Sequence, residues 1–396
     1  MVLARTLKHS IIAIFCAFLT GNTKGQSYNP EVPGIVIDHS PASLGVSLGS
    51  PCIVITPNGD YIVSTTITSI EKRDRGDIHN TAVFKSTDKG ISWDLIADVK
   101  NQRWSNIFYH RDALYLLGTY KAFGNAVIRK SVDGGITWTE PTNKKNGLIA
   151  EGRYHCAPVP IVIHNGRLWR AMEDAPSGRE FRAFMMSASV EADLLDADNW
   201  SFTNKLPYSE EWREGFGGWL EGNAVVTPAG ELVNVLRCHF ARGMHSTAAI
   251  VNVSTDGKTA SFNPEQDFIV LPGGTSKKFT IRYDQESNKY WSLVNWIQPR
   301  DLKYLDELGA GKIRNTLALA SCTNLRDWII ERIILYHPDV ENHAVQYVDW
   351  QFEDQDIIAV ARTAYDDGLG GAANYHDANY ITFHRVKNFR KSFKSP

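Results

Sequence analysis

Short apolar runs that alternate with polar residues, each closed by a turn signal, recur along the whole chain. The alternation has period two, the period of a strand with one buried face. Helix-favouring stretches are short and fall near Glu191–Asp198 and Asp301–Leu308. Strand–turn–strand units stand at Ser50–Ser64, Asn106–Gly118, Val159–Met172, Asn223–Arg237, Phe279–Val294 and Val345–Arg362. Several of their turns carry Asn-Gly or similar pairs, which favour two-residue hairpins. The units recur roughly every 50–70 residues, about what a four-stranded blade needs. The pattern predicts an all-β fold, a single β-propeller of four-stranded blades. Six blades are the first choice and seven the second. The early strand Gly34–Asp38 and the late strand Tyr380–Arg385 are placed to complete one blade together and close the ring.

The N-terminus breaks the pattern. Arg5 and Lys8 precede a short apolar run from Ile11 to Leu19, and small polar residues follow to about Gln26. The run is too short to span a bilayer, so residues 1–26 are expected to be a cleaved secretory signal and 27–396 one propeller domain. This implies a protein exported to the periplasm or secreted, with no membrane span. Cys52, Cys156, Cys238 and Cys322 remain in the mature chain, too scattered for a zinc or C-x-x-C motif, and are expected to be lone buried thiols.

Two segments repeat one signature, S-x-D-x-G-x-x-W: Ser86-Thr87-Asp88-Lys89-Gly90-Ile91-Ser92-Trp93 and Ser131-Val132-Asp133-Gly134-Gly135-Ile136-Thr137-Trp138. In such a turn the Asp accepts hydrogen bonds from main-chain amides, the Gly supplies a positive φ and the Trp folds back as an apolar anchor. Degenerate echoes lie at Ser254–Gly257 and Ser321–Trp328. The signature resembles the Asp-box (BNR) repeat of sialidase-like β-propellers, which sits on the blade periphery. That resemblance implies the fold across nearly all of residues 34–390. It also implies, for sialidases proper, an early Arg-Ile-Pro segment, an arginine triad, an Asp acid/base and a Tyr nucleophile activated by Glu. Here the first unit reads Gly49-Ser50-Pro51-Cys52 instead of Arg-Ile-Pro.

A formal net charge of −2 argues against a nucleic-acid partner, while leaving room for a local arginine cluster that binds an anion. Aligning the hairpins by their turns puts Glu173, Arg237 and Arg362 at one offset, five residues past Leu168, Leu232 and Ile357. Arg170 lies nearby. Arginine forks suit a carboxylate or sulfate. His79, Tyr154 and His155 stand at the entrances of blade strands and are able to move protons. The glycine-rich run Gly217–Asn223, which contains Glu221, and the long connection Tyr365–Asn379, which contains His376, are polar segments of the kind that carries function. A solvated or calcium-stabilised turn is the alternative for the second; no other cofactor is implied.

In chemistry the His, Tyr and Arg resemble the set used by propeller polysaccharide lyases such as ulvan lyases. That resemblance implies β-elimination at a uronate in an acidic oligo- or polysaccharide, as lyase or dehydratase. His79, Tyr154 and His155 would be catalytic; Arg170, Glu173, Glu221, Arg237, Arg362 and His376 would bind substrate. The protein is expected to act as a monomer. Two alternatives stand beside it: a sialidase-like exo-glycosidase removing a terminal anionic sugar, with Glu173 and Glu221 as the carboxylates, and a non-catalytic glycan-binding propeller.

Overall fold

In the computed structural model, which describes residues 31–70, 78–177, 180–241 and 243–391, the period-two runs form six antiparallel sheets. They are the blades of a six-bladed propeller, each running outward from an innermost strand. Blade 1 opens with Val46–Ile55, blade 2 with Gln102–His110, blade 4 with Phe216–Val226, blade 5 with Thr280–Asp284 and blade 6 with Ala344–Glu353. In blade 3 the innermost position is split between Tyr154–His155 and Val162–His164, both paired with Arg167–Asp174. Ile35–His39 pairs with Tyr380–Val386 and supplies the outer strand of blade 6, so the two ends of the chain close the ring. The expected signal segment, and the loop 71–77 that precedes His79, lie outside the described residues.

Local sequence explains the hairpins. Asn165 and Gly166 both take positive φ (50° and 70°), as a type I′ turn requires. The two Asp-box turns sit between the third and fourth strands of blades 1 and 2 and are internally satisfied. Asp88 accepts from Ser86 Oγ, Ser92 N and Ser92 Oγ, and Trp93 Nε1 donates to the Gly90 carbonyl. Asp133 repeats the arrangement with Ser131 and Thr137, and Trp138 with Gly135. Hydrogen bonds from these serine and threonine groups hold both carboxyls down to about 2. The core fills the seams between blades. Trp350, fully buried, packs between blades 5 and 6 with Trp291 and donates its indole N–H to the Thr280 carbonyl at 3.0 Å. Cys52, Cys156, Cys238 and Cys322 are all buried and unpaired.

A second repeat runs around the axis. Each of four innermost strands carries a bulge, where the register shifts between Gly49 and Cys52, Arg103 and Asn106, Leu220 and Asn223, and Gln346 and Asp349. Inside each bulge one non-glycine residue is left-handed: Ser50 (φ 47°), Trp104 (53°), Glu221 (55°) and Tyr347 (53°); Ser276 (57°) takes the same conformation just before the first strand of blade 5. Two residues later a buried polar group reaches the next blade. Cys52 donates to the Ile107 carbonyl, Asn106 to Val159, Asn223 to Phe279 and Lys278 to Val348, while Asp349 accepts from the Ile53 amide. These links tie neighbouring inner strands together below the bulges, and each bulge turns its own left-handed residue toward the mouth of the axis.

Candidate functional site

The bulges converge on one depression with two lobes. A polar lobe of about 380 Å³ is lined by Ser50, Thr66, Arg103, Trp104, His155 and Glu221, together with Arg362 and Asp377. A more apolar lobe of about 520 Å³ is lined by Phe181, Trp219, Leu220, Lys312, Arg314 and Tyr375. Arg237, Tyr347 and His376 line both. Non-glycine residues in left-handed backbone are costly, roughly 1–3 kcal/mol each, and persist where surrounding structure over-determines them. Here four such residues, Ser50, Trp104, Glu221 and Tyr347, line the polar lobe together.

Three guanidinium groups meet beside Tyr347. Arg237 comes from the second strand of blade 4 (Leu232–Phe240), Arg362 from the second strand of blade 6 (Asp356–Ala364), and Arg314 from the segment leading into Thr316–Cys322 of blade 5. Arg237 Nη1 and Arg314 Nη2 both donate to the Ser276 carbonyl, at 2.8 and 3.2 Å. Arg314 and Arg362 both donate to the Gln346 side-chain oxygen. The Arg362 guanidinium lies 3.9 Å over the Tyr347 ring, and that of Arg314 lies 5.5 Å from it. Arg362 is 7% exposed, yet its Nε is buried with no hydrogen-bond partner among the described residues. Burial lowers the pKa of Arg314 and brings that of Arg362 down to about 10, which leaves Arg362 charged at neutral pH.

Glu221 is 3% exposed. Its Oε2 lies 2.9 Å from Arg237 Nε but out of line for a hydrogen bond, so that oxygen is buried without one. Burial pushes its carboxyl up; Arg237, His155, the Tyr347 hydroxyl and Lys278 together outweigh it, and the pKa sits below the ordinary value. Burial lowers the pKa of Arg237, but Glu221 and Tyr347 reverse the balance and raise it. Glu221, Arg237 and Tyr347 are therefore one electrostatic unit: a buried carboxylate ion-paired with a cation and set beside a phenol.

The long connection Tyr365–Asn379 closes one side. Asp367 anchors it, accepting from Leu369 N and Gly371 N and contacting His39 Nε2 at 2.9 Å. The Tyr375 carbonyl accepts from Gln346, and the Tyr375 ring lies 5.5 Å from the Arg314 guanidinium. His376 Nδ1 pairs with Asp377 Oδ1 at 2.9 Å, and the His376 ring stands perpendicular to that of Tyr347, 6.4 Å away. Arg362 is the main cause of a lowered His376 pKa, and the hydrogen bond from His376 is the main cause of an Asp377 pKa near 2.

The residues singled out in the sequence separate into two groups. Glu221, Arg237, Arg362, His376 and His155 line the depression. The His155 ring packs against Trp104 and Phe181, with Nδ1 3.4 Å from Glu173. His79 stands one strand back, its Nδ1 2.9 Å from Nη1 of the cavity-lining Arg103. Glu173 is buried and accepts from the Gly222 amide at 3.1 Å. Tyr154 lies in the core between blades 2 and 3, its hydroxyl accepting from Lys205. Arg170 is buried away from the depression, with all three nitrogens bonded: to Asn106 Oδ1 and to the carbonyls of Ala171 and Ala157. The His–Tyr–Arg grouping that suggested elimination is thus not assembled. In Gly217–Asn223, Gly222 serves packing rather than ligand approach, because a Cβ there would lie 1.9 Å from the Asn234 side-chain oxygen. Tyr347 and Arg314 were not singled out. The triplets Ser50-Pro51-Cys52, Trp104-Ser105-Asn106, Glu221-Gly222-Asn223, Ser276-Lys277-Lys278 and Tyr347-Val348-Asp349 held the signal for Tyr347, in position rather than in shared residue type. Among the described residues no cluster of three or more His, Cys, Asp or Glu side chains is arranged to hold a metal ion.

No protein-family model matches the chain, and no curated protein matches it in sequence. Solved structures share its fold. An α-L-arabinanase from Penicillium chrysogenum complexed with arabinobiose aligns at TM-score 0.55 and 14% identity, over 92% of this chain and all (100%) of that one. A Hadza microbial sialidase aligns at 0.57 and 14%, over 89% of this chain and 68% of that one. A mutant α-L-arabinofuranosidase from Fusarium graminearum, in complex with an iminosugar inhibitor, aligns at 0.54 and 12%, over 89% and 96%. At these identities the likeness shows a sialidase-like propeller fold. It also corrects the expectation of a carbon–oxygen lyase: the neighbours that share the fold are an arabinanase, a sialidase and an arabinofuranosidase, glycoside hydrolases by name.

Proposed function

We propose that the protein is an exo-acting glycoside hydrolase that removes a terminal sugar bearing a carboxylate. One observation carries the reading: Arg237, Arg314 and Arg362 converge on Tyr347 and Glu221, Arg314 held by three hydrogen bonds and Arg362 left with an unpaired donor among the described residues, so three guanidinium charges stand beside one ion-paired carboxylate. A substrate carboxylate would complete it. The hydrolase names of the structural neighbours support the same class.

In this reading Tyr347 is the nucleophile. A carboxylate nucleophile would be repelled by a carboxylate beside the anomeric carbon; a phenol is not, and tyrosine serves this role in glycosidases that act on such sugars. Glu221, ionised beside Arg237, takes the phenolic proton as the Tyr347 oxygen attacks. The arginines hold the sugar acid and stabilise charge through the transition state. The leaving oxygen takes a proton, for which His155 and His376 are the imidazoles lining the cavity. Water then attacks the anomeric carbon and gives its proton to the imidazole that protonated the leaving oxygen; the bond to the Tyr347 oxygen breaks, and Glu221 returns its proton to the phenolate. The basic and apolar N-terminal segment supports action outside the cytoplasm, and among the described residues no helix is long and apolar enough to cross a membrane.

The test is a panel of 4-methylumbelliferyl glycosides: N-acetylneuraminic acid, glucuronic acid and, as a neutral control, arabinofuranose. Release is expected from an acid sugar and not from arabinofuranose. Hydrolysis of the arabinofuranoside with a KM indifferent to Arg362→Ala would overturn the anionic-substrate reading.

A further inference from the structure

Arg362 reaches the depression along an unusual path. It belongs to the second strand of blade 6, and its head lies against the innermost strand of blade 1, over Gly49. Gly49 is in the strand Val46–Ile55, paired with Thr66, and its carbonyl accepts from Thr65 Oγ1 at 2.9 Å. Its φ is not in the left-handed region, so nothing in the backbone demands glycine there. Space explains it instead. Apart from its chain neighbours, a Cβ on Gly49 would meet only two atoms within 4 Å, and both belong to Arg362: Nη1 at 3.4 Å and Cδ at 3.6 Å. The volume that a side chain at position 49 would take is held by the arginine.

We infer that Gly49 and Arg362 are a coupled pair that sets specificity for the carboxylate. The missing side chain at 49 opens a slot, and the third arginine of the anion clamp enters through it from the last blade instead of arising on the first. The inference rests on the proposed function and adds to it the residue on which the clamp depends. Arg362 has little else to hold it: one bond from Nη2 to Gln346 Oε1 at 3.3 Å, and the Tyr347 ring beneath. No hydrogen bond from its Nη1 occurs among the described residues, so that nitrogen is the one offered to a ligand oxygen, while Nε is buried without a partner. In a sequence where the first unit reads Gly49-Ser50-Pro51, the arginine that sialidases carry at that place has a substitute from another strand. A side chain larger than a methyl at 49 meets Arg362 first, at the Cβ, and would push it off the Tyr347 ring and out of the clamp.

The experiment is a double-mutant cycle read by calorimetric titration with N-acetylneuraminic acid. The proteins are wild type, Gly49→Ala, Gly49→Leu, Arg362→Ala and the Gly49→Leu/Arg362→Ala double variant. Loss of charge-assisted hydrogen bonds predicts roughly 10–100-fold weaker binding for Arg362→Ala. Gly49→Leu should weaken binding by a similar factor in the wild-type background and by less than about 2-fold when Arg362 is already absent, the mark of coupled sites. Gly49→Ala should stay within about 3-fold, since 3.4 Å is ordinary contact for a Cβ. Equal losses from Gly49→Leu in both backgrounds overturn the pairing, as does wild-type affinity in Gly49→Leu. A crystal structure of Gly49→Leu gives a readout independent of any ligand: a displaced Arg362 supports the pair, and an unmoved one overturns it. A wild-type protein that binds neither N-acetylneuraminic nor glucuronic acid defeats the functional reading itself. An additive cycle in a protein that does bind defeats only the pairing.

Discussion

Arg170 and Arg362 are both buried arginines on the second strand of a blade, 1% and 7% exposed, and by sequence both are candidates to bind an anion. Their surroundings differ. Arg170 spends Nε, Nη1 and Nη2 on Asn106 and two main-chain carbonyls, all inside the seam between blades 2 and 3. Arg362 has Gln346 for Nη2 and, among the described residues, nothing for Nε, with its head at a cavity wall. The first arginine is a cross-link between strands and the second is a binding group. Burial does not separate them; completeness of hydrogen bonding does, since an unpaired buried donor is costly and persists in a native fold for a reason.

The largest expected effect lies on the cavity side. Tyr347→Phe keeps the ring under Arg362 and the strained backbone but removes the nucleophilic oxygen. Turnover of an acid-sugar glycoside should fall at least about 10³-fold, as when a nucleophile is deleted. Binding of free N-acetylneuraminic acid should stay within about 3-fold, and the urea midpoint should not move. Turnover that survives in Tyr347→Phe would remove the cavity from the catalytic side of the comparison.

The next effect tests the other arginine. Arg170→Met removes a donor from the Ala157 and Ala171 carbonyls and from the Asn106 side-chain oxygen, which keeps only the Val159 amide at 3.4 Å, and should cost about 3 kcal/mol of folding stability. Arg362→Met removes a charge with few partners and should cost within about 1 kcal/mol. Urea unfolding of the two variants checks this. Similar losses for both would show that the arginines are equally structural.

These contrasts explain what could be read from the sequence. Period-two runs, turn residues and the Asp-box signature fixed on local chemistry, because a hairpin closes on its own neighbours; the sixfold ring and its closure by the chain ends follow from them. The offset shared by Glu173, Arg237 and Arg362 is also local, since it counts residues from a turn along one strand, and it brought Arg237 and Arg362 to the same cavity. Arg170 is three residues before Glu173 and so points to the opposite sheet face, the face of the buried Asn234 and Ala359, each three before its own arginine. Parity alone would have set it aside. Arg314 escaped because the excursion Pro299–Lys312 separates it from its hairpin and breaks the count. Tyr347 escaped because its direction is set by a bulge, whose signature is one extra residue and no residue type.

The smallest effect divides two histidines of blade 6 along the same line. His376 is largely exposed, tied to Asp377 and under the field of Arg362. His384 is buried, with Thr382 Oγ1 at 2.8 Å from Nε2, and burial alone brings its pKa down to about 4. Below the unfolded value of about 6.5 the unfolded chain takes up the proton and the native one does not, so stability falls as pH drops toward 4. Between pH 6.5 and 5 this one group should remove about 1.5 kcal/mol, since each pH unit in that window carries up to 1.4 kcal/mol. His376 loses its proton more readily because of Arg362, and that coupling belongs to the cavity rather than to the core. Urea titrations at the two pH values should therefore show a steeper loss for wild type than for His384→Gln, with His376→Gln falling between them, since its own lowered pKa adds a smaller part of the slope. If the slope belonged to His376 instead, the exposed histidine would be carrying structural weight and the line drawn between Arg170 and Arg362 would not extend to this blade.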